Sequence, residues 1–224
     1  IVTHAHLDHI GRIPELVRYG FTGSIYCTGP TKDLMHLMLM DGAHIMQMNA
    51  KLHGESIRYD TQDVERTMSM VVVVDMHKKT QLFEGVMMQL FHTGHILGSC
   101  AVRIENKEGL ALLFTGDIGN TPTVLLPDAE KVPDADIVFL ESVYGDRENP
   151  EKERRVEVLR EALVSAHRRG GTILIPAFSI ERTQLMLYEL SNFFAAKEIP
   201  EIPVYLDSPL SIKVTDVYRK WSNV

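Results

Sequence analysis

Apolar and polar positions recur along the chain with two different periods, and the change from one to the other marks its elements. Ile10, Ile13, Leu16 and Val17 fall on one helical face, and Gly20 is placed to end that helix. Residues 1–3 before it read as the end of a buried strand. Residues 24–27 predict a short strand, and Pro30-Thr31 the start of a helix with Thr31 as its N-cap. From Leu34 to Met48 this helix is apolar nearly all round, as an element buried on more than one face would be. Residues 51–60 read as a polar loop and 61–70 as a short helix. Strands follow at 70–74, 85–91, 99–104, 110–114 and 137–140. Then comes a charged amphipathic helix at 151–169, closed by Gly170-Gly171. After it the order is strand (172–175), helix (181–196), strand (204–206) and helix (211–221), the alternation of a parallel sheet with helical crossovers. The change of style near residue 146 is the one candidate domain boundary, giving segments 1–146 and 147–224.

Composition adds exclusions. At about 150 residues per domain, 224 residues make one or two domains. With 45% hydrophobic and 24% charged residues the chain is neither collagen-like nor disordered. Its apolar runs, such as 71–74, fall far short of the roughly 18 residues that cross a bilayer, so no membrane partner is expected. Cys27 and Cys100 cannot make a disulfide framework or a four-cysteine zinc site, and they suit a reducing compartment. The net charge of −7 advertises no basic field, although bound metal ions can supply local positive charge to a polyanion. The first residue is Ile1, which reads as an internal start in a longer protein.

Histidine is the anomaly, with 10 in the chain and three within Thr3-His4-Ala5-His6-Leu7-Asp8-His9. His4 and His6 are two apart, so in extended backbone both point to one side and can grip one ion. Asp8 and His9 turn into a first helical turn, where they can face a second ion. Imidazole with carboxylate suits zinc, or manganese or iron. His95 lies in the Gly-flanked turn Thr93-Gly94-His95-Ile96-Leu97-Gly98-Ser99, and Asp117 in Gly116-Asp117-Ile118-Gly119. Both follow strands, where backbone can approach an ion closely and a carboxylate can bridge two metals.

These motifs together resemble the metallo-β-lactamase fold, with its His-x-His-x-Asp-His loop, a later single His and then a bridging Asp. Glu141-Ser142-Val143-Tyr144-Gly145-Asp146-Arg147 resembles the acidic motif that opens the β-CASP branch of nucleic-acid-processing nucleases. Gly170-Gly171-Thr172, Ile175-Pro176-Ala177-Phe178 and Arg182-Thr183-Gln184 resemble the start of the β-CASP cap, and Val204-Tyr205-Leu206-Asp207-Ser208-Pro209-Leu210 its next strand and turn. The likeness is strongest to the RNA-processing members. It implies an αββα sandwich lacking its opening strands over 1–146, followed by the start of a parallel α/β cap over 147–224. It also implies two zinc ions, with manganese as the alternative. His4, His6 and His95 would hold one, Asp8 and His9 the other, and Asp117 would bridge them. Asp8, Asp117 and Glu141 would be the catalytic carboxylates, Glu141 acting without ligating. Val143 stands where Thr is usual, at a position that is not a ligand. The cap's general-acid histidine and the last zinc-ligating histidine are expected beyond residue 224.

The implied activity is hydrolysis of RNA phosphodiester bonds, single-stranded RNA being the partner, in the cytoplasm or, in a eukaryote, the nucleus. Assembly as a homodimer or within a processing complex is compatible with this. A small-ester or lactam hydrolase is disfavoured by the cap. A DNA-processing nuclease of the same branch and a non-catalytic structural paralogue are the alternatives. Arg182 and Thr183, opening a helix, are candidate phosphate contacts. His36 and His44 read as packed or rim residues, His92 as a strand residue, and His53, His77 and His167 as solvent-exposed. The Met residues at 35, 38, 40, 46 and 48 read as core filler.

Overall fold

The computed structural model describes residues 1–146 and 154–222, which separate into two compact units: Ile1–Glu141 with Asp216–Val224, and Ser142–Thr215. Arg147 and the predicted helix start at Glu151 lie outside the described residues.

In the first unit, β1 (Ile25–Cys27) pairs in parallel with β2 (Val71–Val73). A second sheet has the order β3 (Thr80–Phe83), β4 (Val86–His92), β5 (Cys100–Asn106), β6 (Ala111–Phe114) and β7 (Ile137–Phe139). It is antiparallel as far as β6, and β6 and β7 are parallel. Val74, Met88, Leu90, Cys100 and Val102 are buried as one core, against which Tyr26 of β1 and Phe114 of β6 pack. This core joins the two sheets, each fully buried large apolar side chain contributing about 1.5–3 kcal/mol. Strand β3 is an addition to the predicted set. The Glu84-Gly85 turn, with Gly85 at φ 75°, folds Thr80–Phe83 back on β4. The strand predicted at 1–3 is instead two separate bonds: Val2 N–H donates to Tyr26 (2.8 Å) and Cys100 N–H to Thr3 (2.9 Å). They tie the backbone leading into His4 to both sheets.

The predicted N-terminal helix is two short ones, α1 (Leu7–Ile10) and α2 (Ile13–Arg18). Ile10 and Val17 are buried but Leu16 is 53% exposed, so the apolar face is narrower than its periodicity suggests. Helix α3 (Gly29–His53) is capped by Thr28, not Thr31, through a 3.3 Å bond from Thr31 N–H. Pro30 explains the shift, because proline is favoured in a first helical turn, where its missing N–H costs nothing. Only a stripe of α3 is buried (Leu34, Met35, Leu39, Ala43), and Ile45, Met48 and Leu52 are exposed, in place of the predicted all-round burial. Helix α4 (Thr61–Ser69) begins with a capping box made by Asp60 and Asp63.

The second unit holds α5 (Arg155–Arg168), α6 (Arg182–Ala196) and the first part of α7 (Pro209–Lys220), which the division crosses after Thr215. Leu163, Leu190, Phe193 and Ile199 form its core. The strands predicted at 172–175 and 204–206 are not formed among the described residues. A strand exists only by pairing, and Leu174 (88% exposed) and Tyr205 (86%) have no apolar surface over them.

Candidate metal centre

Strand direction gathers the site. With β5 reversed between them, β4 and β6 run the same way, and β7 is parallel to β6. The residues that follow these three strands, His95, Asp117 and Glu141, therefore emerge at one edge of the sheet. His4 arrives there from the backbone tied to β1 and β5. His6 is the N-cap of α1, its carbonyl accepting from His9 and Ile10 N–H (3.0 and 3.2 Å), which sets Asp8 and His9 in the first turn.

Close backbone contacts hold the loops together. Ser99 Oγ accepts from the N–H groups of His95 (3.1 Å) and Ile96 (3.2 Å). Thr31 Oγ1 donates to Gly98 carbonyl (2.9 Å). Gly119 N–H donates to Thr93 carbonyl (2.8 Å), bringing the Asp117 loop onto the His95 loop so tightly that a Cβ at Gly119 would run into the Gly94 carbonyl.

His4, His6, His95 and Asp117 each offer a ligand atom within 4.8 Å of the others. His95 Nε2 lies 3.0 Å from His6 Nδ1. Asp117 Oδ2 lies 3.6 Å from His4 Nε2 and 3.4 Å from His95 Nε2, whereas its Oδ1 lies 3.3 Å from His9 Nε2. Asp8 is exposed, with Oδ2 3.4 Å from His9 Nε2. The carboxylate of Asp117 thus turns one oxygen toward His4 and His95 and the other toward His9.

His4 is the most telling member. It is fully buried, its Nδ1 lies 3.1 Å from Thr3 Oγ1, and its Nε2 has no hydrogen-bond partner among the described residues. Burial, with His9, His95 and His6 alongside, pushes its pKa down to about 2, so the ring is neutral. A buried nitrogen without a partner costs about 1–3 kcal/mol, and a neutral imidazole has a lone pair to give a cation. The donor set therefore fits a divalent metal.

Glu141 is bonded to the loop that carries Asp117. Its Oε1 accepts from Ile118 N–H (3.1 Å), and its own N–H donates to Thr115 Oγ1 (3.2 Å). Cys27 and Cys100 are buried thiols whose pKa burial raises to about 12, unsuited to ligation as thiolates. In the second unit Thr183 is buried, its hydroxyl donating to Phe178 carbonyl (2.8 Å). Arg182 is exposed and, with Arg155, lines a cavity of 590 Å³ walled by Val156, Leu159, Ile175 and Phe178. His36 pairs with Glu65 at 2.9 Å. Sequence reasoning passed over Glu130, which lies against His77 and His92 in a second histidine–carboxylate group. No local pattern marks it, since its partners are 53 and 38 positions away. Among the described residues no helix is long and apolar enough to cross a membrane.

Comparison with known proteins agrees with this geometry. Residues 1–143 match the profile of the Metallo-beta-lactamase superfamily, and residues 183–224 that of the Beta-Casp domain. The chain is 35% identical over 221 residues to Ribonuclease TTHA0252 of Thermus thermophilus, covering 98% of this chain and 48% of that protein. It is 34% identical over 211 residues to Transcription termination factor FttA of Methanothermobacter thermautotrophicus, covering 92% and 32% respectively. With the RNase J-like protein of Methanocaldococcus jannaschii the identity is 31% over 226 aligned positions, covering 100% and 50%. The chain spans about a third to a half of the length of these curated relatives. With its histidine-aspartate centre and both family matches in place, the chain belongs to the metallo-β-lactamase superfamily, in its β-CASP branch.

Proposed function

We propose that this chain carries the metal centre of a two-zinc ribonuclease, manganese being the alternative metal, with single-stranded RNA as substrate. In this reading residues 1–146 are the metallo-β-lactamase domain and 147–224 the start of the β-CASP cap. The observation that carries it is the division of Asp117, with Oδ2 toward His4 and His95 and Oδ1 toward His9. His4, His6 and His95 would hold one ion, Asp8 and His9 the other, and Asp117 both. The chemistry such ions supply is polarisation of the scissile phosphate and ionisation of a water near neutral pH.

The protein's own part is preorganisation. Burial keeps His4 neutral and aimed inward, and the stitched glycine loops fix the distance from His95 to Asp117. Glu141 holds the backbone just past Asp117 and acts in catalysis without ligating. Arg182, exposed at the start of α6, is assigned to substrate phosphates, whereas the buried Thr183 hydroxyl is already given to the Phe178 carbonyl. The similarity to a protein named a ribonuclease and to one named RNase J-like supports RNA over the other substrates of this superfamily.

The test uses the full-length protein and single-stranded RNA and DNA oligonucleotides of one sequence. Metal-dependent cleavage of the RNA, abolished by chelation and restored by zinc or manganese, is expected. Cleavage of the DNA alone would transfer the assignment to DNA processing. Absence of cleavage by fully metal-loaded protein would make it a non-catalytic paralogue.

A further inference from the structure

We infer that His77, His92 and Glu130 form a further transition-metal site, separate from the His4–Asp117 centre and best suited to zinc. Each offers a ligand atom within 4.8 Å of the other two. The three come from separate parts of the first unit: His77 from the turn between β2 and β3, His92 from the end of β4, and Glu130 from the irregular connection between β6 and β7.

Each residue is held by backbone before any ion is considered. Glu130 N–H donates to His92 carbonyl (3.0 Å), and His92 N–H returns a bond to Glu130 Oε2 (3.1 Å). His77 N–H donates to Leu90 carbonyl (2.9 Å), and Gln89 Nε2 donates to the His77 carbonyl (2.7 Å). His77 takes a left-handed conformation, φ 61°, which a residue with a Cβ adopts at a cost and which this bonding imposes. The outcome is a ring whose Nε2 lies 2.7 and 3.0 Å from the two Glu130 oxygens, with its centroid 5.6 Å from that of His92.

Two imidazoles and one carboxylate make a three-residue zinc set that leaves a fourth position for water or another group. Ligand atoms of a tetrahedral zinc stand about 3.3 Å apart, given bonds of about 2.0–2.1 Å. Opening the His77–Glu130 contact by that small amount is within reach, since the His77 side chain is 51% exposed. The bland reading is a surface ion pair, of which the structure contains a comparison: His36 and Glu65 lie 2.9 Å apart with no third ligand beside them among the described residues. The location gives the site its consequence. His92 is three residues before His95, and Glu130 shares a connection with Asp117. An ion joining them would clamp together the two segments that carry catalytic-centre residues.

The experiment measures bound zinc per full-length chain by elemental analysis after equilibrium dialysis against zinc alone, with circular dichroism as the check on folding. Glu130→Gln and His77→Ala should each hold one zinc ion fewer than the wild type, and Glu65→Gln the same number as the wild type. His4→Ala, which addresses the other centre, should lose metal additively with Glu130→Gln. Folded Glu130→Gln and His77→Ala proteins that bind as much zinc as the wild type would reduce the cluster to an ion pair and overturn the inference, whatever His4→Ala does. An equal loss in Glu65→Gln would overturn it too, by showing that the loss is not specific to the cluster.

Discussion

The carboxylate of Glu141 accepts a 3.1 Å hydrogen bond from the backbone N–H of Ile118, the residue that follows Asp117. A residue proposed to act without ligating thereby helps to set the position of one that is proposed to bridge two metals. Glutamine retains an acceptor oxygen at that place but not the charge. With Glu141 proposed to orient the cap's general-acid histidine expected beyond residue 224, Glu141→Gln in the full-length protein should keep metal content and fold while slowing RNA cleavage by roughly 10² to 10⁴, the usual cost of losing acid–base assistance. Metal stoichiometry and single-turnover cleavage on the same preparation decide it. Loss of metal would make Glu141 a ligand, and unchanged cleavage would leave it a purely structural role.

His4 gives a complementary outcome. Its buried neutral ring donates nothing to the surrounding hydrogen-bond network through Nε2, so removing it should leave the sheets intact. His4→Ala is expected to abolish metal-dependent cleavage and lower metal content, with little change in the circular dichroism spectrum. Full metal content in this variant would remove His4 from the ligand set.

Gly119 tests the stitching of the two loops. Gly119→Ala places a methyl group against the Gly94 carbonyl and forces the His95 and Asp117 segments apart. A stability loss of about 1–3 kcal/mol is expected from this overpacking. Weaker metal binding should accompany it, measured by zinc titration beside thermal unfolding. Unchanged zinc affinity would show that the loops need not touch.

Asp63 makes a prediction about acid. It is 1% exposed, and burial alone would raise its pKa. Hydrogen bonds from Asp60 N–H (3.0 Å) and Arg66, with the Arg18 guanidinium at 3.3 Å, more than offset burial and hold the carboxyl below its usual value. A group whose folded pKa is depressed stabilises the fold above its unfolded pKa of about 3.9, and that contribution disappears as pH falls through the folded value. Asp63→Asn should cost about 1–3 kcal/mol at neutral pH. The difference in melting temperature from the wild type should shrink below about pH 4. A difference that stays constant down to pH 3 would show that the charge of Asp63 is not what matters.

Local chemistry was enough to read much of this protein from its sequence. The two-residue spacing of His4 and His6, the glycines around His95 and Asp117, and the helical periods of α4, α5 and α6 all act within a few residues, so they are legible without the rest of the chain. Interactions between distant segments decided the remainder. The apolar runs at 172–175 and 204–206 have strand composition but no partner among the described residues, whereas the less conspicuous Thr80–Phe83 pairs with β4 because a glycine turn returns it there. Thr28 rather than Thr31 caps α3 because the chain enters the helix with Pro30 in its first turn. His4 is neutral because it is fully buried beside His9, His95 and His6, and burial is a property of the assembled chain. The two faces of Asp117 and the meeting of His77, His92 and Glu130 likewise arise from strand order. Strand pairing joins residues far apart in the chain, and no local pattern records which residues it brings to the same edge.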